Sequence, residues 1–86
     1  MQNIKYKIIY FWLTHVFLRH IGKRYPEFFE NWICDVTESV RQRQVMMLRY
    51  TGKTQMKFEA IAITMNADLS NVFKYHKKVV DAIISG

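Results

Sequence analysis

Eighty-six residues, half of them apolar and 15% aromatic, are enough for one folded domain and exclude both a disordered tail and a chain with two cores. Thirteen Lys and Arg against seven Asp and Glu give a formal charge of +6, which favours an anionic partner. The single cysteine, Cys34, excludes an internal disulfide and points to a reducing, cytoplasmic setting; it is expected to pack as a small buried apolar residue.

The charge is not segregated. Residues 1–34 carry five cations and two anions, and residues 35–86 carry eight and five. What the cations do therefore depends on where the fold puts them.

Ile4 to Ile21 reads as a helix of unusual apolarity. The runs Ile8-Ile-Tyr-Phe-Trp-Leu13 and Val16-Phe-Leu18 are interrupted only by Thr14 and His15. A membrane span needs about 20 apolar residues and this run has about 11. No small-residue cleavage site follows it, so a secretory signal is not expected. Ile9, Tyr10, Trp12, Leu13, Val16 and Phe17 cover too wide an arc for one neighbouring helix. The segment is expected to be buried on most of its circumference, in the core, in a homodimer interface, or in both. Gly22 is placed to end it with a left-handed cap.

Pro26 suits the first turn of a second helix. In it Phe28, Phe29, Trp32 and Ile33 form a short apolar stripe. Asp35-x-x-Glu38 has the form of a capping box and would start a third helix running to about Tyr50, ended by Gly52. Thr54 is a candidate cap for the fourth. There Phe58, Ile61, Ala62 and Met65 follow the i, i+3, i+4, i+7 spacing of a buried face. Asn66-Ala67-Asp68 is then the whole connection to the last helix. Asn66 tolerates a left-handed conformation, and the Asp68 carboxylate can cap the free N–H groups that follow.

The last helix, from Leu69 to about Ile83, separates its chemistry by face. Val72, Tyr75, His76, Val79 and Ile83 fall in one arc; Ser70, Asn71, Lys74, Lys77, Lys78 and Asp81 fall opposite. Phe73, Val80 and Ile84 form an apolar flank beside the main stripe. The expected fold is all-α with about five helices. Residues 1–34 would be a packing or dimerisation segment, and residues 36–84 a helix-turn-helix unit.

These residues carry a family resemblance. Arg41-x-Arg43-x-Val45-x-x-Leu48-Arg49-Tyr50 resembles the first helix of the C-terminal, promoter-reading region four of bacterial sigma factors. Glu59-x-Ile61-Ala62-x-x-Met65 resembles that family's second helix. Asp68-x-x-x-Val72-x-x-Tyr75 is similar to its turn and recognition helix, with Asp68 where the family usually has Ser or Thr. LuxR-type regulators share the arrangement. The resemblance covers the C-terminal half of the chain. It implies double-stranded DNA as partner, with contact positions at Leu69, Ser70, Phe73 and Lys74. Leu69 and Phe73 are apolar where the family often has Arg or Glu, which leaves room for a protein partner on this surface.

The expected base-reading residues are Ser70, Asn71 and Lys74, since Asn pairs with adenine and Lys reaches guanine acceptors. Lys53, Lys57, Lys77 and Lys78 are the expected phosphate anchors. An alternative expectation is an adaptor or anti-regulator, of phage or mobile-element type, gripping RNA polymerase, a sigma factor or another protein through Leu69 and Phe73. Bases stacked on Tyr6, Tyr10 and Tyr25 beside nearby cations are a further alternative. The sequence shows no phosphate-binding glycine loop, no metal-ligand spacing among His15, His20, His76 and Cys34, and no catalytic constellation. Neither enzyme activity nor a cofactor is expected.

Overall fold

The computed structural model describes residues 2–85, all of whose regular elements are helical. The chain begins with α1 (Gln2–Trp12), a π-helical turn (Leu13–Phe17) and α2 (Leu18–Arg24), which run on as one continuous N-terminal helix. Then come α3 (Pro26–Val36), α4 (Val40–Tyr50), α5 (Phe58–Met65) and α6 (Leu69–Ser85). The fold is all-α, with five helices when the N-terminal run is taken as one. No helix among the described residues is long and apolar enough to cross a membrane.

The core has two parts, and α4 and α6 contribute to both. Leu13, Leu18, Phe29, Ile33, Met46, Tyr50, Val79 and Val80 form one cluster, joining the N-terminal helices to the last two turns of α4 and the C-terminal half of α6. Val45, Ile61, Ala62 and Val72 form the other, joining α4, α5 and the start of α6. Val80 is fully buried and Ile84 packs on the first cluster. The expected flank beside the main stripe of α6 is therefore mostly core, and only Phe73 stays out, 46% exposed.

Several helix ends differ from expectation, each for a visible reason. Gly22 does not end the first helix. It lies inside α2, buried, where an added Cβ would overlap the Tyr50 carbonyl. Its role is close approach of α2 to the end of α4. The helix ends at Arg24, before Pro26, whose ring disfavours helical geometry in the residue ahead of it; that residue, Tyr25, has φ −130° and ψ 65°.

The Asp35-x-x-Glu38 box is not used, because α3 continues through Asp35 to Val36. The start of α4 is instead made by Ser39 and Gln42. Ser39 Oγ accepts from the Gln42 N–H (3.2 Å), and Gln42 Oε1 accepts from the Glu38 N–H (2.9 Å). This is the reciprocal logic of a capping box, four residues later. Nor does Thr54 cap α5, which starts at Phe58 after Lys57 with no side-chain cap. Gly52 does follow the end of α4, at φ 95°.

The N-terminal helix buries one face only. Leu13 and Leu18 are core, whereas Ile4, Ile8, Ile9, Phe11, Trp12 and Val16 are 44–66% exposed. Phe28 on α3 also faces out, at 63%, while Phe29 and Ile33 are buried and Cys34 is half-buried. The π-helical turn has a local cause. Thr14 Oγ1 bonds back to the Tyr10 carbonyl at 2.8 Å, and the Leu18 N–H reaches five residues back to Leu13. Hydroxyl back-bonding of this kind loosens a helix turn, and the extra residue is absorbed as a π-bulge.

Candidate nucleic-acid interface

The turn between α5 and α6 is closed by its own backbone. Asn66 sits at φ 53°, ψ 49°, in the left-handed region, as its position predicts. Its N–H donates to Ile63 O (3.1 Å), and the Ala67 N–H donates to Ala62 O (2.9 Å). This pair is a Schellman motif, and Ala67 adds the apolar contact back to the α5 core cluster that accompanies it. The Asp68 carbonyl then accepts from the N–H groups of Asn71 (3.0 Å) and Val72 (3.1 Å), starting α6. Among the described residues it is this carbonyl, rather than the Asp68 carboxylate, that makes the bonds.

Two rings and one histidine set the orientation of α6. Phe58, at the start of α5, meets Phe73 at a centroid distance of 5.0 Å and His76 at 4.9 Å. Arg49 lies over the Phe58 ring, 4.1 Å from its centroid, with Nη1 on the Met56 carbonyl (2.7 Å). A cation on an aromatic face is attractive, more so when desolvated. His76 is buried between two tyrosines. Tyr50 Oη lies 2.6 Å from Nε2 and Tyr10 Oη 3.2 Å from Nδ1. A neutral imidazole offers one donor and one acceptor, so a single tautomer satisfies both hydroxyls. Burial, reinforced by the Arg49 charge, lowers the His76 pKa to about 4. Burial likewise pushes the Tyr50 and Tyr10 hydroxyls up. The network holds α6 against α4 and the N-terminal helix, which is what orients its outer face.

On that face Ser70, Lys74 and Lys78 are exposed and Asn71 is half-buried at its edge. Leu69 is 36% exposed. Lys57 is exposed and stands next to Phe58, hence beside the Phe73 turn of α6. Ser70, Asn71 and Lys74 share the N-terminal half of α6, and Lys78 follows one turn after Lys74, just past Lys77.

Two of the expected phosphate anchors sit differently. Lys77 pairs with Asp81 (2.8 Å), and Tyr6 donates to Asp81 while lying beneath the Lys77 ammonium. The Asp81 partner raises the Lys77 pKa. This is the only ion pair among the described residues, and it clasps the C-terminal half of α6 to α1. Lys53 lies in the α4–α5 connection, where its carbonyl accepts from Arg19 Nη2 (3.0 Å). It belongs with the basic end of α2 (Arg19, His20, Lys23 and Arg24), whose side chains border one cavity. The Tyr6 and Tyr10 hydroxyls are taken up in contacts with α6; Tyr25 is exposed.

Sequence reasoning missed Arg19. Its guanidinium also donates to the carbonyls of Tyr50 (3.1 Å) and Gly52 (3.2 Å), which caps the C-terminal end of α4 with a cation. Nothing local marks it, since its partners are 31 to 34 residues away. The Lys77–Asp81 pair was legible from its i, i+4 spacing. Two carboxylates border the surface, Asp68 at the start of α6 and Glu59 in the first turn of α5, both exposed. Comparison with protein-family models, with curated proteins and with solved structures returns no match to this chain.

Proposed function

We propose that the chain is a small transcription regulator that binds duplex DNA through α6, in the manner its sigma region-four-like register implies. The observation that carries the reading is the Schellman-closed turn at Asn66. It lets α6 leave α5 with Val72 buried and the outer face of its first two turns, Ser70, Phe73 and Lys74, exposed, the face a recognition helix turns to a major groove. Ser70 and Lys74 stand nearest the base edges, with Asn71 at their margin. Lys57 and Lys78 are the phosphate anchors on the same side, and Lys53 is a more remote one. Lys77 is held back by Asp81. In a titration of labelled duplex followed by anisotropy, Lys74→Ala with Lys78→Ala should weaken binding at least tenfold, about 1.4 kcal/mol. Unchanged affinity removes α6 from the interface.

A second reading rests on Leu69, Phe73 and Ile63, which are 36, 46 and 82% exposed. Three large apolar side chains on α5 and α6 suit a protein surface such as RNA polymerase or a sigma factor, making the chain an adaptor or anti-regulator. The same lysine variant separates the two readings, because an adaptor keeps its partner when Lys74 and Lys78 are removed.

A further inference from the structure

The N-terminal helix has a second apolar face that the fold leaves uncovered. Ile4, Ile8, Phe11 and His15 recur at intervals of 4, 3 and 4 residues, the spacing of a coiled-coil seam. Trp12 and Val16 widen it on one side. The π-helical turn keeps His15 in line, and its ring lies 4.3 Å from that of Phe11. At their observed exposures, Ile4, Ile8, Phe11, Trp12 and Val16 present on the order of 550–600 Å², against about 800 Å² per partner in a standard interface.

We infer that this face is covered by a second copy of the chain, the two N-terminal helices crossing antiparallel about a twofold axis between Ile8 and Phe11. The inference does not depend on DNA binding. Its argument is self-complementarity, which an isologous contact requires. Antiparallel pairing sets Ile8 against the partner's Phe11, and Ile4 against the partner's His15. Lys5 and Trp12 flank the seam on the same side, so Lys5 then approaches the partner's Trp12, whose ring face attracts a cation.

Charge selects the direction. No acidic residue precedes Glu27, and the helix is basic at both ends, with Lys5 and Lys7 at one and Arg19, Lys23 and Arg24 at the other. A parallel pair would bring like clusters together at each end. The antiparallel pair lays Lys5 and Lys7 beside the partner's uncharged middle turns.

The test is the mass of the full chain in solution at micromolar concentration, the weak end of affinities for interfaces of this size. The expected mass is twice the 10.4 kDa of the chain. Ile8→Glu with Phe11→Glu should return it to one chain with unchanged far-ultraviolet circular dichroism, since both side chains are exposed. Direction is read by oxidative cross-linking in a Cys34→Ala background. Ile4→Cys mixed with His15→Cys should form a covalent dimer, and neither alone should. A monomer, a dimer indifferent to the glutamates, or cross-linking of Ile4→Cys to itself overturns the proposal. So does a monomer that floats with phosphatidylglycerol vesicles, which would assign the face to a membrane surface.

Discussion

Acidification through the histidine range should destabilise this protein, and one side chain sets the size of the effect. His76 has a folded-state pKa of about 4 against an unfolded value of about 6.5. The neutral ring is the form the Tyr10–His76–Tyr50 network accepts, so the folded state binds fewer protons than the unfolded state between those two values. Stability is then complete above the unfolded pKa, falls as the pH drops, and levels off below the folded pKa. The full gap corresponds to about 3 kcal/mol, and at about pH 5 roughly 2 kcal/mol of it is already lost. With a urea m-value near 1 kcal/mol/M for a chain of this size, the unfolding midpoint should fall by about 2 M between neutral pH and about pH 5. Circular dichroism at the two pH values measures this. His76→Gln should start lower at neutral pH and lose most of the slope. The reasoning is refuted if the wild-type midpoint does not move, or if His76→Gln retains the full pH dependence.

Gly22→Ala should destabilise by about 1–3 kcal/mol in thermal or urea unfolding, because a methyl there meets the Tyr50 carbonyl and the overpacking outweighs alanine's better helix propensity. If the variant is more stable, α2 and α4 do not approach as described. Ser39→Ala should cost about 1 kcal/mol through loss of the α4 cap, whereas Asp35→Ala should change little, and a reversal would restore the box at Asp35.

How much was legible followed from the range of the interactions. Helix identity, the stripe of α5 and the two faces of α6 are periodic, and periodicity is local. The Asn66 turn was legible for the same reason, since few residues other than glycine accept a left-handed backbone. Boundaries were harder, because Asp35 and Ser39 both head plausible capping boxes. The choice between them depends on how far α3 can run while Ile33 stays buried against α4. A glycine near a helix end is usually a cap, and the actual reason for Gly22, the Tyr50 backbone far along the chain, has no local trace. Spacing alone puts Lys74, Lys77 and Lys78 on one outer face of α6. The clasp by Asp81 and Tyr6 takes Lys77 out of that set and leaves Lys74 and Lys78 exposed.

The central claim, that α6 is a duplex-binding surface, is tested most directly by the salt dependence of binding to random-sequence duplex. Lys57 and Lys78, with or without Lys53, neutralise two or three phosphates, so log affinity should fall against log salt with a slope of roughly −1.8 to −2.7. In Lys74→Ala with Lys78→Ala the slope should shrink in magnitude by about 0.9, for the one phosphate anchor removed. A slope near zero, or one that the double variant leaves unchanged, would contradict the account and turn attention to the apolar surface at Leu69 and Phe73.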